Sequence, residues 1–333
     1  MLLNWNGRRW LEKFLPPLVR HTPGAAVYVI DNGSDDDSVA FLAAHYPQVK
    51  VIALDRNYGF AGGYNKGLQQ VSEPYAVLLN TDVEVTENWL PPLLARLATE
   101  DRIVAVQPKI RDYRRRHCFE YAGAAGGWID FFGYPYCNGR VGNRLEKDAG
   151  QYDRPQEVHW TSGACMLVRR EVFLESGGFD ERFFAHQEEI DWAWRIRRQG
   201  WKLMFEPGAR VYHVGGGNLA YGHPRKTFLN FRNNLLMLFK NLPRAALVPV
   251  ILTRLVLDGL AGALFLLQGR PRHTWAIVRA HFSFYRQIPY YARRRRGPYV
   301  WPYWRDLFFL LARRRMQAPC EAERTDAGTD KKP

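Results

Sequence analysis

Residues 77–85 read VLLNTDVEV, an apolar run that acquires polar and acidic side chains at its C-terminal end. The apolar half predicts a buried strand, and Asn80, Asp82 and Glu84 follow where that strand would end. In sheets of parallel strands, ligands bind at the carboxyl ends of the strands. Because the chain has a formal net charge of +14, acids placed at such a point predict a cation site.

The segments around this strand alternate between apolar, strand-like runs and helix-like stretches. We predict strands at residues 2–4, 25–30, 49–54, 75–79, 164–168, 202–205 and 210–213, and helices at 8–20, 61–71 and 187–199. This β-α-β-α order predicts an α/β fold with a Rossmann-like, mostly parallel sheet flanked by helices.

Polar residues follow three of the predicted strands, at 4–6, 31–35 and 80–82. Because the carboxyl ends of parallel strands lie at one edge of a sheet, we expect these three groups to meet in one crevice. The first predicted strand is shorter than a central parallel strand usually is. We therefore expect the natural start to lie a few residues upstream.

The composition is that of a folded chain, with 333 residues and 47% hydrophobic content. Its four cysteines are scattered without a C-x-x-C pair, which predicts neither a zinc site nor a dense disulfide framework. No charged, apolar and cleavable leader opens the sequence, so we expect a cytoplasmic protein.

Positive charge is concentrated near the C-terminus. Residues 270–316 contain twelve arginines and one acid, Asp306, interleaved with many aromatic residues. This mixture suits an anionic membrane surface or a nucleic acid. The cluster follows a 23-residue apolar run at 245–267 that Arg254 and Asp258 interrupt. A charged pair is costly in hydrocarbon, so we favour a helix that lies at the membrane interface over one that spans it.

Other segments mark the limits of the folded part. Residues 111–157 are polar, rich in Gly and Tyr and poorly periodic, which predicts a long loop or lid. From residue 228 onward the pattern is helical, and we predict a basic, aromatic, membrane-associating region at 228–316. Residues 317–333 are poor in apolar side chains and predict a disordered tail.

An ordered set of motifs resembles glycosyltransferase family 2, in particular its bacterial rhamnosyltransferase-like branch. The motifs, spread over residues 1–240, are NWNG at 4–7, VIDNGS at 29–34, RNYGFAGGYN at 56–65, LLNTD at 78–82, GFDERFF at 178–184, EEIDWAWR at 188–195 and YH at 212–213. The resemblance implies a GT-A fold with a catalytic domain at 1–227. Its nucleotide-sugar-binding half would cover about residues 1–110, and its acceptor half about 158–227.

The resemblance also implies a nucleoside-diphosphate sugar donor, a divalent metal ion and inversion at the anomeric carbon. Asp82 matches the metal-binding acid of the family's D-x-D pattern, and Asn80 stands where that pattern often has its first Asp. His213 matches the histidine that completes the metal site, and this ligand set suits Mn²⁺ or Mg²⁺. The alternatives are a capping acid for Asp82 and a histidine satisfied within the core for His213.

The acceptor hydroxyl must lose a proton during transfer, which calls for a carboxylate base. The family's base matches Glu189, with Asp191 as the second choice. Glu188 and Asp191 share a helix face, whereas Glu189 points about 100° away from Glu188. Acids at a helix start are also favoured by the helix dipole alone, and Asp191 could pair with Arg195 one turn later.

The remaining motif positions are expected to bind the nucleotide-sugar; they are Asn4, Asp31, Arg56, Asn57, Gly59, Asn65, Asn80 and Asp82. Asp31 matches the residue that recognises the base, with an Asx-turn as its structural alternative. Trp160 could line the acceptor side or pack in the core. The glycines at 59, 62, 63 and 67 do not spell G-x-G-x-x-G, which argues against a dehydrogenase.

The leading hypothesis is an inverting, metal-assisted glycosyltransferase that moves a sugar, rhamnose or a similar one, from a dTDP- or UDP-sugar. Its acceptor would be a hydroxyl of a lipid-linked or cell-surface glycan at the inner face of the cell membrane. One alternative is a nucleic-acid-binding protein, although the basic cluster is separate from the predicted crevice and we expect no nucleic-acid partner. Another is a degenerate transferase that binds the donor without turnover, since Asn80 and Glu189 depart from the family pattern.

Overall fold

The computed structural model describes residues 1–141, 144–215, 222–295 and Cys320. Its strands are β1 (Leu2–Asn4), β2 (Tyr28–Asp31), β3 (Lys50–Ala53), β4 (Tyr75–Asn80), β5 (Val83–Val85), β6 (Ile103–Asp112), β7 (Gly127–Ile129), β8 (Pro135–Cys137), β9 (Arg140–Val141), β10 (Arg144–Leu145), β11 (Gln156–Val158), β12 (Cys165–Arg169) and β13 (Lys202–His213). Its α-helices are α1 (Arg8–Arg20), α2 (Ser38–His45), α3 (Gly59–Gln69), α4 (Leu90–Ala98), α5 (Arg170–Glu175), α6 (Glu188–Arg197), α7 (Pro224–Asn241), α8 (Arg244–Leu267) and α9 (Pro271–Ala292).

One sheet in the order β11-β13-β6-β12-β4-β1-β2-β3 forms the centre, and β5 pairs with β13. The pairs β1–β2, β1–β4, β2–β3 and β6–β13 are parallel, whereas β12 runs antiparallel to both β4 and β6. The predicted α/β fold with a mostly parallel sheet is therefore confirmed. The register aligns Asn4 with Asp31 and Leu3 with Asn80, which brings three strand ends to one edge.

Successive residues of the central strands supply two separate cores. Ile30 and Leu78 belong to one cluster, and their chain neighbours Val29 and Leu79 belong to the other. This division follows from the two-residue period of a strand, which points neighbouring side chains to opposite faces. Because both faces are covered, the strands read as continuous apolar runs rather than alternating ones.

Two sequence predictions need correction. The segment predicted as an irregular loop, 111–157, contains β7 to β10, which form a small antiparallel sheet of their own. Strands of two or three residues are too short to give a periodic signal. The strands predicted at 202–205 and 210–213 are parts of the single strand β13, whose pairing with β6 is interrupted between Glu206 and Arg210.

The C-terminal helices α7, α8 and α9 pack on one another behind α6. Arg254 and Asp258 on α8 are buried, and Arg254 donates to Phe132 O, Asn234 Oδ1 and Asp258 Oδ1. The opposite face of α8 exposes an apolar row: Val248, Leu252, Val256, Leu260 and Leu264. Among the described residues, α8 is the helix long and apolar enough to cross a membrane by length and composition.

Cys118 and Cys320 form a disulfide, with 6.0 Å between their Cα atoms. Their spacing of 202 positions gave no signal for this pairing. The described residues do not include the rest of the predicted tail at 317–333, residues 296–316 of the arginine-rich segment, or the glycines at 216 and 217. The prediction of a disordered tail and the predicted domain limits stay predictions.

Candidate active site

Asp82 and His213 meet at one edge of the sheet. Asp82 lies in the turn between β4 and β5, and His213 is the last residue of β13, in register with Val83. His213 Nε2 lies 3.1 Å from Asp82 Oδ1, and Val214 N donates to Asp82 O at 3.1 Å. Both side chains are buried. Strand pairing therefore fixes the distance between the two predicted metal ligands.

A second carboxylate, Glu120, lies on the other side of the imidazole, 3.3 Å from His213 Nδ1. Glu120 follows β6 and is buried, with 2% of its surface exposed. Sequence reasoning missed this residue, because it lies outside every motif that was recognised. Glu120 and Asp82 thus flank His213 in a buried carboxylate–imidazole–carboxylate cluster.

The electrostatics of this cluster favour a cation. Burial alone would lower the pKa of His213, but the carboxylates of Asp82 and Glu120 outweigh it and raise that pKa well above its usual value. The field that stabilises a proton on His213 would also stabilise a metal ion. Carboxylate oxygens and an imidazole nitrogen suit Mn²⁺ or Mg²⁺, so the residues present fit a divalent cation.

The ends of β1 and β2 lie at the same edge of the sheet as this cluster. Asn4 Nδ2 donates to Asp31 Oδ1 at 3.1 Å and to Ser34 Oγ at 3.2 Å. Asp31 also accepts from Ser34 N at 3.1 Å. The Asx-turn that was the structural alternative for Asp31 was expected at Gly33, and the side chain instead bonds one residue further on. Asn4 Oδ1 is buried and has no hydrogen-bond partner in the part of the chain that the structure describes. It is therefore an acceptor available to a ligand.

The turn before α3 is shaped by side-chain amides. Asn57 Oδ1 accepts from Gly59 N at 2.8 Å, and Asn32 Nδ2 donates to Asn57 Oδ1 at 3.2 Å and to Gly59 O at 3.0 Å. Gly59 has a φ of +72°, and a Cβ there would lie 2.4 Å from Phe184 O. Only glycine fits both constraints. Arg56 is exposed with its guanidinium 4.9 Å from the Tyr58 ring, and Asn80 is half-buried at the end of β4.

Two other expected ligand-binding residues have structural partners. Asn65 exchanges two hydrogen bonds with the backbone of Phe179, through Nδ2 at 2.8 Å and Oδ1 at 2.9 Å. Trp160 is buried, and its Nε1 donates to Trp128 O at 2.9 Å. These contacts account for both side chains without a ligand, so donor binding by Asn65 and acceptor binding by Trp160 stay predictions.

The acids at the start of α6 have different surroundings. Asp191 is fully buried and accepts from Arg195 at 3.0 Å, Lys240 at 2.7 Å and Asn241 at 2.9 Å. Burial opposes its ionisation, but Lys240 and Arg195 outweigh burial and lower the pKa of Asp191. The structure therefore gives Asp191 the ion-pairing role that was the alternative to a catalytic one.

Glu188 and Glu189 have no such cationic partner in the part of the chain that the structure describes. Burial and the carboxylate of Glu189 raise the pKa of Glu188 well above its usual value, and burial raises the pKa of Glu189 to about 7. Each has a buried Oε2 without a hydrogen-bond partner among the described residues. Glu189 lies beside Gly163, where a Cβ would come within 3.8 Å of its carboxyl carbon.

The segment that leads into these acids is strained. Phe184, His186 and Gln187 have φ values of +64°, +72° and +71°, which cost energy in side-chain-bearing residues. Asn233 on α7 holds the segment, because its Nδ2 donates to Phe183 O at 3.0 Å, Ala185 O at 2.9 Å and His186 O at 2.7 Å. Sequence reasoning missed Asn233 as well.

Asn234 continues the same contact. Its Nδ2 donates to Gln187 Oε1 at 3.1 Å, and its Oδ1 accepts from Arg254 on α8. Buried polar groups thus connect the C-terminal helices to the residue that directly precedes Glu188. A strained backbone that is held in place by several hydrogen bonds is characteristic of functional sites.

Comparison with known proteins agrees with this geometry. The family model described as glycosyl transferase family 2 matches residues 5–177. An N-acetylglucosaminyl-diphospho-decaprenol L-rhamnosyltransferase of Mycobacterium tuberculosis is 30% identical over 224 residues, covering 61% of this chain and 71% of the relative.

Two solved structures share the fold. A GalNAc-T7 structure with UDP, GalNAc and Mn²⁺ superposes with a TM-score of 0.56 at 19% identity, covering 73% of this chain and 47% of that one. A mannosyltransferase from Pyrobaculum calidifontis, in complex with GDP-Man and Mn²⁺, superposes with a TM-score of 0.51 at 15% identity, covering 85% of both chains.

The sheet is of the GT-A glycosyltransferase type. Asp82, in its β4–β5 turn, faces His213 at the end of β13. The family model covers more than half of the sequence. This chain belongs to glycosyltransferase family 2 and is a glycosyltransferase. A rhamnosyltransferase is among its relatives, at modest sequence identity.

Proposed function

We propose that the protein is an inverting glycosyltransferase that moves rhamnose, or a similar sugar, from a dTDP- or UDP-linked donor to a hydroxyl of a lipid-linked or cell-surface glycan. The observation that carries the proposal is the 3.1 Å contact between Asp82 and His213 at the strand ends. The mycobacterial relative, whose name describes rhamnosyl transfer to a diphospho-decaprenol acceptor, supports the choice of sugar and acceptor.

Asp82 and His213, with Glu120 beside them, would hold Mn²⁺ or Mg²⁺ in this crevice. When bound, the metal ion supplies Lewis-acid stabilisation of the charge that develops on the leaving diphosphate. The Oδ1 atom of Asn4, which has no hydrogen-bond partner among the described residues, would accept a hydrogen bond from an N–H or O–H group of the nucleotide-sugar. Asp31, Arg56, Asn57 and Gly59 would bind the rest of the donor, and the exposed guanidinium of Arg56 would contact its phosphate or ribose.

Glu189 would act as the general base. Its carboxylate has a free buried oxygen, and a pKa near 7 matches a base that must bind and release a proton close to neutral pH. Asp191 is a poor candidate, because its carboxylate already accepts from two cations and an amide. Burial and the neighbouring carboxylate of Glu189 raise the pKa of Glu188 well above its usual value, so the two acids would not both ionise readily in this buried site.

The exposed apolar row of α8 would lie on the inner face of the cell membrane, with the aromatic side chains of α9 beside it. Trp275 and Phe282 on α9 are 61% and 64% exposed. Arg254 and Asp258 point away from that row into the protein. A helix with one buried charged face and one exposed apolar face suits a position in the interface better than a span across the bilayer.

The experiment that tests the proposal is transfer by purified protein from dTDP-rhamnose and UDP-sugars to polyprenyl-diphosphate-linked glycan, with Mn²⁺ or Mg²⁺ present. We expect metal-dependent transfer, which Asp82→Ala and Glu189→Ala abolish, while thermal unfolding shows that both variants fold. Undiminished transfer by either variant would overturn the site assignment. Donor binding without hydrolysis or transfer would support the degenerate alternative.

A further inference from the structure

A cavity of about 590 Å³ opens on the C-terminal side of α6, away from the Asp82–His213 cluster. Its walls come from residues 176–182, from α6 and from the C-terminal ends of α7 and α9. The cavity lining shares one described residue, Asn65, with the residues expected to bind the donor or the metal ion. The side-chain amide of Asn65 donates a hydrogen bond to Phe179 O.

The cavity is strongly basic. Among the described residues, six cationic side chains line it, against the lining acids Asp180 and Glu181. The buried carboxylate of Asp191 pairs with Arg195 and Lys240 from behind the lining, which leaves a surplus of 6 − 3 = +3. The cations are Arg182, Arg195, Arg198, Lys240, Arg294 and Arg295. Asp180 is already engaged, because its Oδ2 accepts from Lys240 at 2.5 Å and from Tyr291 at 3.0 Å. The lining therefore has more positive charge than its own acids neutralise.

Two of these guanidinium groups are held on one aromatic ring. Arg182 Cζ lies 3.6 Å and Arg294 Cζ 3.8 Å from the centroid of Tyr290. Neither forms a salt bridge with a carboxylate among the residues that the structure describes. Arg294 Nη1 donates to Tyr290 O at 3.4 Å. Stacking reduces the freedom of both side chains, and their remaining N–H groups can donate to an external acceptor such as a phosphate, whose oxygens the planar fork of arginine fits.

The cavity lies close in sequence to the start of α8, the helix that carries the exposed apolar row. Arg295 donates to Phe239 O and Leu242 O, which ties the end of α9 to the C-terminal end of α7, just before α8 begins at Arg244. Val248, 62% exposed, is the first residue of the apolar row and lies about one turn after α8 begins at Arg244. Concave basic sites beside an apolar surface are suited to phosphate-bearing head groups.

We propose that this cavity, which we call the Tyr290 cavity, is a second anion site that binds a phosphate group. Its ligand is a phosphate ester or diphosphate, either in the head group of an anionic phospholipid or in a soluble compound. The site is distinct from the metal cluster, and the proposal does not depend on the identity of the transferred sugar.

Two neighbouring arginines provide a matched test. Arg293 and Arg294 are both exposed and carry the same charge, but only Arg294 is among the residues that line the cavity. The full-length protein, Arg294→Gln and Arg293→Gln are compared in two arms. One is calorimetric titration with inorganic pyrophosphate in EDTA, with Asp82→Ala as a control for binding at the metal cluster. The other is flotation with phosphatidylcholine vesicles, with and without phosphatidylglycerol.

We expect Arg294→Gln to weaken binding by about tenfold or more, the effect of losing charge-assisted hydrogen bonds. Arg293→Gln should weaken it by about fivefold or less, the effect of one surface charge. Loss in the vesicle arm alone identifies a lipid head group, and loss in the pyrophosphate arm identifies a soluble phosphate. Equal effects of the two variants in both arms, or no binding in either arm, would overturn the proposal.

Discussion

The imidazole of His213 lies 3.1 Å from the carboxylate of Asp82, although 131 positions separate the two residues in the chain. The contact exists because β5, which begins one residue after Asp82, pairs with β13, which ends at His213. The backbone register therefore keeps both side chains in place without a ligand. Glu120, on the other side of the ring, completes the cluster.

Glu120 should strengthen metal binding through His213. We expect Glu120→Gln to weaken Mn²⁺ binding by about ten- to a hundredfold, as the loss of a partner of a metal ligand typically does. Titration followed by electron paramagnetic resonance of free Mn²⁺ measures the change. Glu146→Gln is the control, because Glu146 is buried but contacts Gln151 and Tyr152. Equal Mn²⁺ affinity in both variants would contradict the role of Glu120.

The rate of transfer should depend on the protonation of Glu189. Because its pKa is about 7 and a base must be ionised, kcat/KM should rise with pH and level off above about pH 7. A pH–rate profile with saturating metal ion measures this. Glu189→Gln should lose at least about a hundredfold in rate at the plateau, whereas Asp191→Asn should lose stability before it changes the profile. A flat profile in the wild type would be inconsistent with Glu189 as the base.

The same shift affects stability with a defined sign. The pKa of Glu189 is raised from 4.5 in the unfolded chain to about 7 in the fold, so the folded state binds the proton more tightly. Stability therefore falls as pH rises between about 4.5 and 7. Glu189→Gln removes this penalty. The gain in unfolding free energy of the variant over the wild type should therefore be larger at pH 8 than at pH 5. Urea unfolding of both proteins at the two pH values measures this difference. If the difference is the same at pH 5 and pH 8, the raised pKa of Glu189 is contradicted.

Asn233 should position the acids of α6. Asn233→Ala leaves three carbonyl groups of the strained segment without their donor. We expect a loss of about 2 to 4 kcal/mol in unfolding free energy and, at temperatures where the variant is folded, a lower kcat with little change in KM for the donor. Asn230→Ala is the control, because Gln187 contacts the backbone carbonyl of Asn230 and not its side chain. Equal kcat in both variants would exclude this positioning role.

The apolar row of α8 should bind lipid. Leu252 and Leu260 are 57% and 63% exposed, and replacing both with Gln should weaken binding to vesicles by about tenfold or more. The control replaces Val39 and Val51 with Gln, since these are exposed apolar residues of the catalytic part. Flotation compares the two. If both double variants bind vesicles alike, α8 is not the membrane-binding surface.

Sequence patterns predicted what depends on long, regular elements. The apolar run before Asn80 and the alternation before His213 predicted strand ends within one residue of the observed ones. The pairing of Asp82 with His213 was predicted from the family resemblance. The pairing of Asp191 with Arg195 also followed from helical spacing.

Other features could not be predicted because they depend on contacts between distant segments. Glu120 lies in the connection between β6 and β7, where periodicity carries no information. Asn233 is one of several amides in α7, and its three contacts are with residues about 50 positions away. The short strands from Gly127 onward gave no alternating pattern long enough to recognise.

Binding of Mn²⁺ and dTDP measured together by calorimetry tests the account most directly. Asp82→Ala should lose about a hundredfold or more in metal-dependent dTDP affinity, since the diphosphate would lose the metal that neutralises it. Glu84→Ala, two residues away with its carboxylate paired to Arg116 at 2.8 Å, should bind as the wild type does. If Asp82→Ala binds Mn²⁺ and dTDP as tightly as Glu84→Ala, the strand-end cluster is not the metal site.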